Sequence, residues 1–260
     1  MRGGVIVALL GLDLSEAMFL AARANLDQEE RRRAASFAFD RDRRRYVLSH
    51  FALRQLLSGI CDIHTSQLRF ATEPLGRPYL QTPSGIDFNM SHSGDISAYA
   101  ASKTCRVGID VEMIVPSAPP ELAEHVLTPT ERDALQQLPV EEHPRVFFRY
   151  WTAKEAFLKW HGLGFTVEPQ SVTVDLNNGT ACCSTLRLAP AHIIWLPAGK
   201  HAVCALAAPH AVDLYDVSDR LVRFISMIVP NIGSSSYCES GFIRPEQNLG
   251  SQHMAISSFL

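Results

Sequence analysis

The start of the chain has an apolar run followed by two helix-capping signals, which predict one strand and then two short helices. Residues 5–10 are apolar throughout but too few to span a membrane, so we interpret them as a strand. Asp13 or Ser15 can cap a helix directly after this strand. Asp27, with Glu30 three positions later, resembles a capping box for a second helix.

A longer helix is predicted by an apolar stripe farther along the chain. It runs over about residues 41–58, with Val47, Phe51 and Leu57 near one face, and Gly59 is its expected end. Three segments with a period of two follow, at residues 68–70, 86–90 and 96–100. We interpret these segments as strands of a sheet.

The second half of the chain repeats this order of elements. A strand is predicted over residues 106–113, and Thr128 with Glu131 forms a second capping box. The next helix spans about residues 145–161 and ends at Gly162. Further strands are expected at residues 171–176, 184–188 and 201–207.

Two α+β halves are the simplest division of this pattern. We predict an N-terminal subdomain over residues 1–105 and a C-terminal subdomain over residues 106–210, although no residue-by-residue repeat relates them. The composition changes after Pro209, where an amphipathic stretch near residues 218–229 precedes a tail rich in Ser, Gly and Asn. We therefore expect residues 211–260 to be atypical and partly disordered.

Composition and charge argue against several classes of protein. The net charge of −3 gives no global reason to expect nucleic-acid binding, and positive charge is concentrated between Arg31 and Arg45. No window reaches the roughly 18 apolar residues of a spanning helix, so no membrane association is expected. The six cysteines form no CxxC pair, and adjacent Cys182 and Cys183 are poorly placed to bridge each other. Reduced thiols in a cytoplasmic protein fit best.

Two carboxylates point the same way on the strand predicted over residues 106–113. Alternation places Asp110 and Glu112 on one face and the apolar residues of the strand on the other. Neighbouring carboxylates raise each other's pKa unless a cation lies between them, and Mg²⁺ prefers such oxygen ligands. The alternative is a surface strand with two solvated acids, which a bare D-x-E pair favours.

A helix later in the chain carries a third acid. Helical spacing places Trp151, Glu155 and Lys159 on one stripe. The alternative is an amphipathic helix with an ordinary Glu-to-Lys pair. The chain has twenty Arg but four Lys, and two of those four, Lys154 and Lys159, lie here. A compact ammonium near a phosphate would explain this choice.

A turn containing Ser and His follows one of the predicted strands. Residues 88–94, Phe-Asn-Met-Ser-His-Ser-Gly, can offer hydroxyl, imidazole and backbone donors to a phosphate. A nucleophilic pair of Ser91 and His92 is the competing interpretation. Adjacent residues on an extended chain point to opposite faces, however, and no Gly-x-Ser-x-Gly elbow is present. We therefore discount hydrolysis by this pair.

Five motifs occur in a fixed order across residues 45–165. They are Gly-Arg-Pro at 76–78, Phe-Asn-x-Ser-His-Ser at 88–93, Gly-Ile-Asp-Val-Glu at 108–112, Trp-x-x-Lys-Glu-Ala-x-x-Lys at 151–159 and Lys-x-x-Gly-x-Gly at 159–164. In this order they resemble the signature of Sfp-type phosphopantetheinyl transferases. The resemblance covers roughly residues 1–210. It implies the α+β fold of that family, a pseudo-twofold pair of similar α/β subdomains.

The resemblance also implies which residues form the site. The metal-binding acids of the family match Asp110, Glu112 and Glu155, which would hold Mg²⁺ against the pyrophosphate of coenzyme A. The residues that would bind coenzyme A match Arg45, Arg77, Ser91, His92, Lys154 and Lys159. The last two are the lysines of the signature helix. One residue of 31–33 is loosely matched to the 3′-phosphate, with a solvated helix face as the alternative.

The implied reaction moves the 4′-phosphopantetheine moiety of coenzyme A onto a serine of an acyl or peptidyl carrier protein and releases 3′,5′-ADP. Mg²⁺ and Lys159 would neutralise charge, and Glu155 would accept the serine proton directly or through water. The resemblance implies a monomer that meets its carrier around residues 115–140. Carriers of fatty-acid, polyketide and nonribosomal-peptide synthesis all fit.

Two other functions stay open on the residues alone. The first is a Mg²⁺-dependent phosphodiesterase or nuclease with acids split between strand and helix. Against it, Lys154 precedes Glu155 on a helix, and the basic residues are not interleaved with aromatic residues that could stack on bases. The second is a non-catalytic module that binds carrier proteins. The presence of all three acids and both motif lysines argues against it.

Overall fold

The fold is taken from a computed structural model that describes residues 4–13, 15–81, 85–116 and 120–228. By spatial contacts the chain forms two compact units. Among the described residues, the first unit joins 4–10 with those between 69 and 216, and the second joins those between 11 and 68 with 217–228. The boundary at residue 105 stays a prediction.

In the described chain, runs of helices lie between runs of strands. The helices are α1 (Glu16–Asn25), α2 (Gln28–Ala35), α3 (Asp40–Cys61), α4 (Pro120–Val126), α5 (Pro129–Gln136), α6 (His143–His161) and α7 (Ser218–Ile228). The strands are β1 (Gly4–Gly11), β2 (Phe70–Thr72), β3 (Pro78–Leu80), β4 (Asp87–Ser93), β5 (Ile96–Ser102), β6 (Gly108–Met113), β7 (Thr173–Asp175), β8 (Thr180–Cys182), β9 (Ala191–Leu196), β10 (Ala202–Ala208) and β11 (Asp213–Asp216). This mixture confirms the predicted α+β class.

The strands of the first unit form three sheets. One has the order β11-β1-β5-β4, the second has the order β6-β10-β9-β8-β7, and β2 pairs with β3 in a hairpin. β6 and β10 are antiparallel, with Asp110 opposite Ala205. β4 and β6 are therefore edge strands of two different sheets.

Side chains of β4 join these two edges. Three acceptors on β4 take backbone N–H groups at the edge of β6: Asp87 Oδ1 from Val107 (2.8 Å), Asn89 Oδ1 from Ile109 (2.9 Å) and Ser93 Oγ from Met113 (3.1 Å). Buried backbone donors need such partners, so polar side chains here replace the missing strand neighbour. The polar face of β4 is thereby fixed against β6.

The two faces of β6 differ as the alternation predicts. Val107, Ile109 and Val111 are fully buried in an apolar core with residues of β1 and β5. On the other side, α6 packs so closely that a Cβ on Gly108 would lie 2.2 Å from Ala156 O. Backbone atoms cannot yield at that distance, so glycine is required at this position. The close approach brings the polar face of β6 next to α6.

The second unit confirms the predicted helix starts. Ser15 caps α1, and Asp27 and Glu30 form the capping box of α2. Arg54 of α3 is 1% exposed and donates to Glu30 Oε2 (2.7 Å), so the box is also part of a buried ion pair. α3 was predicted to end at Gly59, which is wrong. The helix continues to Cys61 and ends where Asp62 adopts a left-handed φ of 54°.

One prediction about the later strands is also wrong. Residues 184–187 form a turn, in which Arg187 has a left-handed φ of 51°, so no strand covers 184–188, and the strand lies earlier as β8. Residues 213–216, within the predicted tail, form β11, which pairs in parallel with β1, and the tail assignment for residues 211–260 stays a prediction. The amphipathic stretch is confirmed as α7, and residues 229–260 lie outside the described residues.

Within the described ranges, no helix has both the length and the apolar character that are needed to cross a membrane.

Candidate active site

β4, β6 and α6 of the first unit bring an acid, a serine and a lysine into contact. Lys159 Nζ lies 2.6 Å from Asp110 Oδ1 and 2.9 Å from Ser91 Oγ. The Ser91 hydroxyl also donates to Asp110 Oδ1 (2.7 Å). Asp110 is only 2% exposed, whereas the Lys159 side chain is 26% exposed. Lys159 therefore forms a charge-assisted pair with Asp110, and its side chain stays partly exposed.

Glu112 lies two residues farther along β6 and is held by different donors. Ser93 Oγ donates to Glu112 Oε2 (2.7 Å), and Trp151 Nε1 donates to Glu112 Oε1 (3.0 Å). Burial and, after it, the charge of Asp110 raise the pKa of Glu112, while the two hydrogen bonds lower it. The carboxylate is thus fixed through both oxygens.

Glu155 lies on the stripe of α6 that the sequence predicts, between Trp151 and Lys159. Its side chain is buried, and no residue of the described chain donates a hydrogen bond to its carboxylate. Burial and then the charge of Asp110 raise the pKa of Glu155 to about 7, although Lys159 opposes the shift. Asp110, Glu112 and Glu155 therefore lie close enough to act on one another electrostatically.

The three acids fit a divalent cation by chemistry, although they do not form a finished ligand set. In the described part of the chain, no three His, Cys, Asp or Glu side chains have the geometry of a metal site. Asp110 Oδ2, however, is buried without a hydrogen-bond partner among the described residues, and three carboxylates are offset by one ammonium. Hard oxygen donors with surplus negative charge suit Mg²⁺. Metal binding by these acids stays a prediction.

Lys154 does not reach this cluster. Its Nζ is fully buried, 2.6 Å from Glu131 Oε2, and donates to the carbonyl oxygens of Val126 (2.8 Å) and Val172 (2.7 Å). Consecutive residues of a helix point about 100° apart, so Lys154 faces the core while Glu155 faces the acids. The structure corrects the interpretation of Lys154 as a nucleotide ligand, because the ammonium has a structural role.

Arg77 also uses its guanidinium within the protein. It donates to Asp87 Oδ1 (2.7 Å), Phe88 O (3.1 Å) and Val107 O (2.8 Å), and it contacts Lys159 O as well. The side chain is 6% exposed. These bonds tie the end of the β2–β3 hairpin to β4 and to the last turn of α6. Phosphate binding by Arg77 stays a prediction.

His92 lies on the opposite side of β4 from the acids. It is exposed, whereas its neighbours on the strand, Ser91 and Ser93, turn toward β6. The structure therefore separates Ser91 from His92, which agrees with the argument against a nucleophilic pair. The structure does not bring His92 into the cluster, and its contact with a phosphate stays a prediction.

The other predicted phosphate ligands belong to the second unit. Arg45 of α3 lies 3.5 Å from Asp42 Oδ1. The three arginines of α2 have local partners: Arg31 contacts Leu26 O, Arg32 pairs with Glu29, and Arg33 lies over the ring of Phe37. These contacts are those of a helix surface. A role in nucleotide binding stays a prediction for all four arginines.

Several polar residues of the site are not among those predicted from the sequence. Asp87, Asn89 and Ser93 occupy every second position of β4 together with Ser91, and all four face β6. This period of two could have identified them, because a polar face on a strand next to D-x-E implies pairing between the two. The contact of Trp151 with Glu112 left no such signal, since it joins distant segments.

Comparison with known proteins gives the chain a family. Residues 106–208 match the 4′-phosphopantetheinyl transferase superfamily, and residues 13–104 match the family described as 4′-phosphopantetheinyl transferase, N-terminal. The two matched regions follow one another along the chain. They contain all five sequence motifs.

Individual relatives agree with this match. The chain is 33% identical over 205 residues to 4′-phosphopantetheinyl transferase psf-1 of Bacillus pumilus, covering 75% of this chain and 86% of that protein. It is 28% identical over 200 residues to 4′-phosphopantetheinyl transferase Sfp of Bacillus subtilis, covering 74% and 88%.

A cyanobacterial relative matches over a shorter region. The chain is 38% identical over 157 residues to 4′-phosphopantetheinyl transferase HetI of a Nostoc species, covering 59% of this chain and 66% of that protein. The chain thus spans slightly less than two thirds of this relative and most of the two Bacillus relatives. The family resemblance inferred from the motifs is confirmed, and the chain belongs to the 4′-phosphopantetheinyl transferase superfamily.

Proposed function

We propose that this chain transfers the 4′-phosphopantetheine moiety of coenzyme A to a serine of an acyl or peptidyl carrier protein. The serine oxygen forms a bond to the phosphorus on the pantetheine side, the P–O bond of the pyrophosphate breaks, and 3′,5′-ADP leaves. The observation that carries the proposal is the cluster of Asp110, Glu112 and Glu155 beside Lys159, in a member of this family.

Asp110, Glu112 and Glu155 would hold Mg²⁺ in this proposal. The fit rests on the oxygen donors and on the unpartnered Asp110 Oδ2. When bound, the cation supplies charge neutralisation at the pyrophosphate of coenzyme A.

Lys159 supplies a fixed positive charge at the same place. Two of its three N–H donors are engaged by Asp110 and Ser91, which fix the direction of the ammonium. The third donor would serve a phosphate oxygen, since the side chain is partly exposed. A donor held in place before the reaction stabilises developing charge without reorganisation.

Glu155 is the acceptor of the serine proton in this proposal. Without a cation, burial and then the charge of Asp110 raise the pKa of Glu155 to about 7. A bound Mg²⁺ would lower this pKa and keep the carboxylate ionised, as a proton acceptor must be. Its carboxylate is not engaged by a donor of the described chain. The proton would pass from the serine hydroxyl to this carboxylate as the new P–O bond forms.

The proposal also includes the docking region for the carrier protein, the oligomeric state and the cellular location. A carrier protein would dock around residues 115–140, and the chain would act as a monomer in the cytoplasm. Neither alternative, a nuclease or a non-catalytic module, is supported by the family match, which names a transferase.

Product analysis tests this function. The protein is incubated with coenzyme A, an apo carrier protein and Mg²⁺, and nucleotides are separated by chromatography. We expect 3′,5′-ADP to appear in step with the loss of coenzyme A, and its formation to stop when EDTA removes the metal. A parallel incubation replaces the carrier with single- and double-stranded DNA. Cleavage of DNA without release of 3′,5′-ADP from coenzyme A would replace the transferase by a nuclease.

A further inference from the structure

We propose that Trp151 and Ser93 are positioning residues, which hold the carboxylate of Glu112 in one fixed orientation before a cation binds. The inference rests on the proposed function, because it concerns the residues that would hold Mg²⁺. It assigns a role to two side chains that touch neither the reacting atoms nor coenzyme A in the proposed mechanism.

The carboxylate of Glu112 accepts hydrogen bonds from two different elements of the fold. Trp151 Nε1 of α6 donates to Glu112 Oε1 (3.0 Å), and Ser93 Oγ of β4 donates to Glu112 Oε2 (2.7 Å). A free glutamate side chain rotates about three bonds, and ordering it costs entropy each time a ligand binds. Two donors on opposite oxygens remove that freedom in advance.

The two donors are themselves held in place. Ser93 Oγ accepts the backbone N–H of Met113 (3.1 Å), so the hydroxyl hydrogen is directed at Glu112. The Trp151 ring lies against Phe147, with 6.4 Å between ring centroids. Each carboxylate oxygen has a second lone pair that these bonds leave available. Glu112 is thus oriented without being blocked.

Glu112 differs in this respect from the other two acids. Asp110 is held by the charged Lys159, which offsets part of its negative charge, and Glu155 receives no hydrogen bond within the described chain. Trp151 and Ser93 are neutral donors, so they fix Glu112 without adding a positive charge that would offset its own. This combination is what a ligand that must attract a cation needs.

The test separates metal affinity from the chemical step. We compare the Mg²⁺ concentration for half-maximal transfer in wild type, Trp151→Phe and Ser93→Ala. We expect this concentration to rise about tenfold in each variant, while kcat at saturating Mg²⁺ stays near the wild-type value. A second readout needs no turnover. With coenzyme A present, Mg²⁺ should raise the melting temperature, and the variants should need correspondingly more Mg²⁺ for the same rise.

Matched controls exclude a general loss of packing. Trp160 also lies on α6 and donates its indole N–H to a backbone oxygen, that of Arg106 (3.0 Å), so Trp160→Phe removes a similar bond away from Glu112. Trp160→Phe should leave the Mg²⁺ requirement unchanged. Ser93→Thr keeps the hydroxyl, so its Mg²⁺ requirement should match that of the wild type.

Different results would refute the positioning role of Trp151 and Ser93 and the proposed metal site. If wild type responds to Mg²⁺ but Trp151→Phe and Ser93→Ala behave like Trp160→Phe, the positioning role is wrong and the transferase stands. If wild type shows no Mg²⁺ response in either readout, the metal site fails and the positioning role fails with it. Should Trp151→Phe not fold, the comparison of Ser93→Ala with Ser93→Thr decides.

Discussion

Replacing Asp110 with Asn, or Glu155 with Gln, is expected to reduce transfer to a carrier protein by on the order of 10³-fold or more. Both changes keep the shape of the side chain and remove its charge. Asp110 loses the attraction that holds Lys159 at 2.6 Å, and the cluster loses one of three proposed cation ligands. At position 155 the proposed proton acceptor is lost as well.

The fold should survive both replacements. Lys159 is 26% exposed and can be solvated when Asp110 is neutral, and Glu155 has no hydrogen bond within the described chain to lose. Initial rates of carrier loading at saturating coenzyme A and Mg²⁺ measure the effect, and circular dichroism checks the fold. Asp175→Asn is the control, because this carboxylate is exposed in β7 and, among the described residues, accepts hydrogen bonds from its own turn alone. A folded variant at Asp110 or Glu155 that loads carrier at the wild-type rate would rule out the site.

Replacing Lys154 with Met should destabilise the protein by about 3–5 kcal/mol without weakening coenzyme A binding. The fully buried ammonium pairs with Glu131, which is itself 4% exposed. Removing it leaves an uncompensated buried carboxylate and several carbonyl oxygens without their donor. Urea unfolding measures the loss as a lower midpoint with an unchanged slope.

The same variant decides between two roles for Lys154. If it supports the core, as the structure indicates, changing Lys154 to Met together with Glu131 to Gln should recover part of the lost stability. No unpaired charge then remains buried, and the Gln oxygen can still accept a backbone N–H from Thr128 or Val174. Lys200→Met, at an exposed lysine, should leave the midpoint unchanged. An unchanged midpoint for Lys154→Met, together with weaker coenzyme A binding by calorimetry, would instead make this residue the nucleotide ligand that the family resemblance implies.

Local patterns in the sequence correctly predicted which faces of β6 and α6 carry the acids and Lys159. The period of two on β6 placed Asp110 and Glu112 on one face, and helical spacing placed Glu155 and Lys159 on one stripe of α6. The capping boxes at Asp27 and Thr128 were found because their signals lie within four residues. Such patterns are reliable because they depend on neighbours along the chain.

Contacts between distant segments could not be predicted in this way. The parallel pairing of β11 with β1 joins residues 213–216 to the start of the chain, and nothing local at Asp213 indicates that partner. The buried direction of Lys154 was missed for a related reason. A motif gives the position of a residue but not the face on which its side chain packs, and Lys154 points to Glu131.

The intact mass of an apo carrier protein, measured after incubation with this protein, coenzyme A and Mg²⁺, tests the central claim most directly. We predict that the carrier gains the mass of one 4′-phosphopantetheine arm, that fragmentation places the arm on a serine, and that EDTA prevents the gain. A carrier that keeps its apo mass while wild-type protein is folded and binds coenzyme A would contradict the proposed transfer.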